Sequence, residues 1–147
     1  MHELNILRGL LENQPFAVLS TYGNGQPYAN IVAFVAADAG RSLCFATPRG
    51  SRKHANLLSC PKAALLVDSR GGDIFAAAAA TAVGETRELA GEGLETALAL
   101  YVGKFPQLAG FVRAPGTALF TLAVEQYIVV DKFQEVTRIS PAQLGGA

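Results

Sequence analysis

A tight turn signal between two strand-like segments constrains this chain more than any other feature. Residues 16–22 and 28–36 are rich in β-branched and aromatic side chains, and Gly23-Asn24-Gly25 lies close between them. Glycine and asparagine tolerate the positive φ angles that tight hairpin turns require. A second turn, Asp38-Ala39-Gly40, leads to a third strand over residues 42–47. Three strands joined by short turns predict an antiparallel meander and exclude a βαβ unit in this region.

The segments on either side of the meander predict short helices and further strands. Leu4, Leu7 and Leu11 recur at helical spacing and predict an N-terminal helix. The final strand is expected to kink near Glu125. The remaining predicted elements are a helix at 51–59, strands at 63–68 and 74–88, and one or two final strands over 117–133. An amphipathic helix is predicted at 91–102, followed by a helical turn at 104–112.

The segment 74–88 carries two conflicting signals. Five consecutive alanines, 76–80, favour a helix by propensity. The preceding Gly71-Gly72, the interior Gly84 and the alternation around it favour a long bent strand, which is our prediction. Six or so strands with short flanking helices then predict a mainly β, α+β fold, namely a closed antiparallel barrel.

The composition indicates the broad class of protein. The 147 residues are 50% hydrophobic and 16% charged, which is typical of one globular domain over 1–147. The formal net charge is zero, which argues against nucleic acid and acidic membranes as partners. No apolar run is long enough to cross a bilayer and no signal peptide is recognisable, so we expect the cytoplasm. Cys44 and Cys60 lack a disulfide or zinc pattern and are predicted to fill apolar space.

The stretch FATPRGSRKHAN, residues 45–56, predicts a site for an anion. A strand ends at Thr47, and Ser51 stands at the N-cap of the next helix. Arg52 and Lys53 then occupy the first turn, where the helix macrodipole disfavours cations by roughly 0.3–1 kcal/mol each. Arg49 lies just outside, and no acidic residue occurs nearby in the sequence. An anion such as phosphate would satisfy the hydroxyl, the free N–H groups and the cations together; the alternative is three solvated side chains.

Familiar catalytic motifs are missing, and no catalytic residue is assigned. There is no nucleophile elbow, metalloprotease motif or P-loop, and the two histidines are not spaced for a metal. His54 is expected on the exposed side of its helix, or as a further donor near the anion. Tyr101, Tyr127 and Arg113 are predicted to be structural, although they are also candidates to line a groove. A bound cofactor would then carry the reaction.

The order of these motifs resembles one known family. PYANIVAF, followed by LCFATPRGSRKHANLLSCPKAALLVD, is similar to the pyridoxamine 5'-phosphate oxidase-like, FMN-binding split β-barrel superfamily. The similarity continues through AVGETREL, KFPQLAGF and TLAVEQYIVVDKF and covers about residues 14–135. It implies a split barrel that binds FMN as a homodimer, with the flavin at the subunit interface.

The resemblance also implies roles for particular residues. The FMN phosphate would be held by Thr47, Ser51, Arg52 and Lys53. The isoalloxazine ring would lie along the backbone at Asn30, Ile31 and Val32. The implied function is that of an FMN-dependent oxidoreductase acting on a small-molecule substrate.

Departures from the family pattern define the alternatives. Ala29-Asn30 replaces an arginine of the true oxidases, Ala79 replaces a glutamine, and the chain has no tryptophan. The tail ISPAQLGGA lacks the ligand histidine of the haem-degrading branch. The alternatives are a non-catalytic FMN or haem protein for storage, sensing or electron transfer, and a deazaflavin-dependent reductase. A nucleic-acid-binding barrel is disfavoured, because the positive charge is confined to one loop.

Overall fold

The computed structural model describes residues 2–70, 73, 76–132 and 135–145. The strands are β1 (Phe16–Gly23), β2 (Gln26–Ala37), β3 (Ser42–Pro48), β4 (Lys62–Asp68), β5 (Ala79–Glu88), β6 (Thr117–Asp131) and β7 (Glu135–Ile139). The helices are α1 (His2–Asn13), α2 (Arg52–Ser59), α3 (Gly91–Lys104) and α4 (Ala109–Arg113). Short 3₁₀ turns occupy Asp38–Gly40, Pro106–Leu108 and Pro141–Leu144.

The strands form one antiparallel sheet that closes on itself. Their order is β3-β2-β1-β4-β5-β6-β7, and an additional pairing joins β3 to β6. The barrel therefore consists of β1 to β6, with β7 attached to β6 outside the closed ring. The predicted mainly β barrel with short helices is confirmed. Strand β7 was not predicted, because EVTRI is short and only Ile139 in it is buried.

The first hairpin forms as the sequence predicts. Asn24 and Gly25 have φ angles of 52° and 73°, so both turn residues adopt the left-handed conformation that the turn requires. Strand β1 pairs with β2 from Phe16↔Ala33 to Gly23↔Gln26. This register places Leu19 and Val32 on the buried face of the hairpin.

A bulge in β6 confirms the predicted kink. Gly84 is opposite Val124 and Val83 is opposite Gln126, so Glu125 is the extra residue. A Cβ atom at position 84 would overlap the carbonyl oxygen of Ala123. Glycine at this position therefore allows the close approach of the two backbones.

The predicted strand at 74–88 is partly wrong. Strand β5 begins at Ala79, and Ala76 lies in a turn before it. The reason is pairing: among the described residues the ladder between β4 and β5 ends where Asp68 is opposite Ala79. The carbonyl of Ala78 accepts a hydrogen bond from Ser69, which lies beyond the end of β4. The predicted Gly71-Gly72 turn, the predicted strand start at Ile74 and the predicted strand end at Phe133 lie outside the described residues.

Two apolar clusters pack on the two sides of the barrel wall. The larger one fills the interior with side chains such as Leu19, Phe34 and Phe45, and α1 closes it with Leu7 and Leu11. A second cluster joins α3 and α4 to the outer face of the barrel at β2, β3 and β6. Among the described residues no helix is long and apolar enough to span a membrane.

Candidate functional site

The N-terminus of α2 carries the hydroxyl groups that the sequence predicts. Ser51 is the N-cap, and its Oγ accepts a hydrogen bond from the backbone N–H of His54 at 3.2 Å. The hydroxyls of Thr47 and Ser51 are 2.8 Å apart and share a hydrogen bond. Thr47 is fully buried at the end of β3. The strand end and the helix cap thus form one polar cluster.

Asn56 anchors α2 to the barrel, a role that the sequence motif containing it did not predict. Its amide is buried and donates through Nδ2 to the hydroxyl of Thr21 in β1 at 3.0 Å. A Cβ atom at Gly23 would overlap the Asn56 side chain, so the glycine lets β1 approach the helix. The position of the first turn of α2 is therefore fixed by contacts in its second turn.

Arg49 has an acidic partner, so the expectation of three unpaired cations around the N-terminus of α2 is wrong. Its guanidinium donates two hydrogen bonds to the Glu88 carboxylate, at 3.2 and 2.6 Å. This hydrogen bonding holds the pKa of Glu88 below its usual value. The local absence of acids in the sequence was misleading, because Glu88 reaches Arg49 from β5.

Arg52 and Lys53 have no such acidic partner in the part of the chain that the structure describes. Among the described residues no carboxylate forms an ion pair with either of them. Arg52 is exposed, whereas Lys53 is partly buried and its pKa is lowered by desolvation. A desolvated cation at a helix N-terminus is doubly unfavourable, and a bound anion would relieve both costs.

His54 faces the protein interior, so the expectation that it lies on the exposed side is wrong. Its ring is edge-on to Phe120, with centroids 6.0 Å apart. Nδ1 accepts a hydrogen bond from the backbone N–H of Gly50 at 3.2 Å. Nε2 is buried and has no partner among the described residues. His54 therefore packs between the barrel and the loop before α2, and it stabilises that loop through its hydrogen bond with Gly50.

The first half of β2 forms an open edge of the barrel. Strand β3 pairs with β2 only over Phe34–Ala37, so among the described strands residues 26–33 pair with β1 alone. Within this part, Asn30 and Val32 face one side and Ile31 faces the other. Ile31 is 58% exposed, whereas the Oδ1 atom of Asn30 is buried and has no hydrogen-bond partner among the described residues. The structure leaves this edge accessible, and its predicted contact with a flavin ring stays a prediction.

The other candidate groove residues have structural roles or lie elsewhere. The hydroxyl of Tyr127 donates to the carbonyl of Gly40 at 2.6 Å, and that of Tyr101 donates to the carbonyl of Ala33 at 3.4 Å. Burial raises the pKa of Tyr101 to about 12. Arg113 is exposed and lines a separate cleft beside α3. None of the described residues forms a cluster of three metal-ligand side chains.

A closed antiparallel barrel with a polar helix N-terminus at α2 is the architecture of a split-barrel protein. Sequence comparison agrees with this class. A model of the family described as pyridoxamine 5'-phosphate oxidase matches residues 6–131. The chain belongs to this family, which confirms the resemblance found in its motifs. No curated protein is similar enough in sequence to count as a match.

Solved structures show the same fold. The heme binding protein from Mycobacterium smegmatis has a TM-score of 0.84 at 18% identity, over 94% of this chain and 57% of that one. A pyridoxinephosphate oxidase family protein from Clostridium acetobutylicum, related to general stress protein 26 of B. subtilis, has a TM-score of 0.75 at 15% identity, over 98% of each chain. A FAD-binding protein from Mesorhizobium loti has a TM-score of 0.67 at 18% identity, over 82% and 88%. This chain thus spans little more than half of the mycobacterial protein.

Proposed function

We propose that this chain is a flavoprotein that holds FMN, with the phosphate at the N-terminus of α2. The observation that carries the proposal is the group of Thr47, Ser51, Arg52 and Lys53, in which two hydroxyls share a hydrogen bond and two cations lack an acidic partner among the described residues. Hydroxyls, free N–H groups and cations are the donors that a phosphate needs. The donor set therefore fits the group.

The isoalloxazine ring would lie along the open edge of β2. Asn30 presents a buried amide oxygen that has no hydrogen-bond partner in the described part of the chain, and a ligand donor would satisfy it. Backbone groups at Ile31 and Val32 are not paired to β3. A flavin supplies hydride or electron transfer when it is bound, and the protein positions it and excludes water.

A homodimer with the flavin between the subunits is part of the proposal. Phe16, Ile31 and Leu66 are 45%, 58% and 38% exposed, and they lie on the outer face of β1, β2 and β4. Val18 is opposite Ile31 on one side and opposite Leu66 on the other, so the apolar side chains are adjacent across three strands. Such a contiguous apolar face is typical of a subunit interface.

The first experiment is the visible spectrum of the purified protein. We expect absorption bands near ~370 and ~450 nm from an oxidised flavin. A Soret band without these two bands would instead indicate haem. The heme binding protein from Mycobacterium smegmatis, which has this fold, supports the haem alternative. Neither histidine offers an obvious haem ligand, because His54 is directed inward and His2 contacts Asp131 at 3.3 Å.

A pair of variants tests the phosphate site. Arg52→Gln with Lys53→Gln should weaken FMN binding about 100-fold or more, if each cation makes a charge-assisted hydrogen bond. The matched control is Lys132→Gln with Arg138→Gln, which removes the same charge near β7. Titration of the apoprotein with FMN, followed by flavin fluorescence, measures both. Equal affinity in the two double variants would refute the assignment.

The proposed activity is that of a cytoplasmic oxidoreductase acting on a small molecule. NADH or NADPH should reduce the bound flavin, and an electron acceptor should then reoxidise it over many turnovers. A single reduction without turnover would indicate the non-catalytic carrier instead. The absorbance of the flavin during repeated additions of reductant distinguishes the two.

A further inference from the structure

A cleft of about 300 Å³ lies on the side of the barrel, between α3, α4 and the loop that leads into β6. Arg113, a groove candidate from the sequence that the proposed function does not use, lines this cleft. The volume is at the lower end of the range of about 300–1,000 Å³ that is usual for small-molecule sites. A ligand of this cleft would therefore be small.

The floor of the cleft is apolar. Its side chains belong to the apolar cluster outside the barrel wall and come from α3, α4, β6 and the residue after β5, namely Leu89, Leu94, Leu98, Val112 and Leu119. Leu94 and Leu98 are four residues apart and therefore lie on one face of α3. Leucine and valine side chains cannot form hydrogen bonds, so this floor favours an aliphatic group of a ligand.

Two opposite charges lie beside this floor. Glu95 is on α3, next to Leu94, and Arg113 is the last residue of α4. Both are exposed, and both line the cleft. Neither forms an ion pair with the other or with a further residue in the described part of the chain. The cleft therefore presents a carboxylate and a guanidinium that can each bind a charged group of a ligand.

The other two charged residues of the cleft bind each other. Arg49 and Glu88 line one wall, and the guanidinium donates two hydrogen bonds to the carboxylate at 3.2 and 2.6 Å. Arg49 Nε also donates to the carbonyl of Pro115 at 3.3 Å, which holds this wall to the loop before β6. Because Glu88 is engaged by Arg49, neither of them neutralises Glu95 or Arg113. The charges that this pair leaves for a ligand are thus one of each sign.

We propose that this cleft binds a free amino acid with an aliphatic side chain. The guanidinium of Arg113 binds the carboxylate, and the carboxylate of Glu95 binds the ammonium group. The aliphatic side chain covers the apolar floor. A residue within a peptide, or at either of its ends, carries at most one of these two charges next to its side chain. This inference does not depend on the flavin, because the cleft is not lined by the proposed phosphate-binding residues Thr47, Ser51, Arg52 and Lys53.

Calorimetric titration of the purified protein with L-leucine tests the proposal. Three matched compounds each lack one group of leucine: isocaproate lacks the ammonium group, isoamylamine lacks the carboxylate, and glycine lacks the aliphatic side chain. We expect one leucine to bind per chain, about tenfold or more tightly than any of the three, because each removed group leaves part of the cleft without its contact. Isocaproate that binds as tightly as leucine would indicate a simple anion site and overturn the proposal.

Two variants assign the charged contacts. Arg113→Gln should weaken leucine binding about tenfold or more and leave the affinity for isoamylamine unchanged, since that compound has no carboxylate. Glu95→Gln should weaken leucine binding to a similar extent and leave the affinity for isocaproate unchanged. The matched controls are Arg87→Gln and Glu92→Gln, which remove the same charges from exposed positions outside the cleft. Both controls should bind leucine as the wild type does.

The outcomes separate this inference from the proposed function. A wild-type protein that does not bind leucine would overturn the inference, and so would leucine binding that neither Arg113→Gln nor Glu95→Gln weakens. The visible spectrum and the FMN titration test the flavin site independently. A protein that binds FMN and not leucine would therefore refute only the amino-acid site, and a protein that binds leucine and not FMN would refute only the proposed function.

Discussion

Substitution of Gly84 by alanine tests the close approach of the neighbouring barrel strands β5 and β6. A Cβ atom at this position would overlap the carbonyl oxygen of Ala123 and lie 2.9 Å from its carbonyl carbon. Two carbon atoms normally approach to roughly 3.5–4.0 Å. The atoms in the way belong to the backbone, so no side-chain rotation can relieve the overlap. The pairing around the Glu125 bulge must therefore open.

The expected cost follows from that opening. Overpacking of this kind costs about 1–3 kcal/mol, and each lost ladder hydrogen bond adds about 1 kcal/mol. We expect Gly84→Ala to lower the free energy of unfolding by about 3 kcal/mol, and the melting temperature by roughly 10 °C. Thermal and urea unfolding followed by circular dichroism measure both quantities.

A second glycine provides the matched control for this prediction. Gly9 lies in the middle of α1, and no atom outside its own helix backbone and chain neighbours comes within 4 Å of the position that an added methyl group would take. Gly9→Ala should raise the free energy of unfolding by about 0.5–1 kcal/mol, because alanine is the better helix former. A Gly84→Ala variant as stable as the wild type would refute the backbone argument, whatever the control does.

Three further predictions concern charged groups. Desolvation by burial against two aromatic rings lowers the pKa of Lys104 to about 8. Between pH 8 and 10 the unfolded chain therefore binds more protons than the folded protein, because its lysine is still charged. The free energy of unfolding should rise with pH over that window, by about 1 kcal/mol after allowance for solvent screening. Urea titrations at several pH values should show this rise in the wild type and not in Lys104→Met. Glu88→Gln breaks the half-exposed pair with Arg49 and should cost about 0.2–1 kcal/mol, and a larger loss on thermal unfolding would contradict this reading. The ligand-free Arg52→Gln, Lys53→Gln protein should be more stable by about 0.3–1 kcal/mol for each cation removed from the helix N-terminus, and a lower melting temperature would contradict the dipole argument.

Local signals predicted most of the fold. The hairpin turn at Asn24 and Gly25, the cap at Ser51 and the kink at Glu125 depend on residues that are close in sequence, and the structure contains all three. Where strand β5 begins depends instead on where its partner ends. The sequence of the alanine run before Ala79 does not depend on where β4 ends. The local pattern therefore could not predict that β5 begins at Ala79.

The sequence predicted the hydroxyl groups of the candidate site, but it did not predict which of the nearby cations has an acidic partner. Thr47 and Ser51 are four residues apart, and their contact follows from a strand end meeting a helix cap. The partner of Arg49 is Glu88, which is 39 residues away and is brought near by the order of the strands. The inward orientation of His54 likewise depends on Phe120, in a strand that the sequence alone does not place beside it.

The pairing of β3 with β6 has a kinetic consequence. Ser42 pairs with Ala123, so the ring closes only after most of the chain has been synthesised and β4 and β5 have formed between them. Contacts between residues so distant in sequence slow folding, because a long loop must be ordered first. Until then β3 has an unprotected edge, and in this interval the nascent chain is most exposed to pairing with other chains.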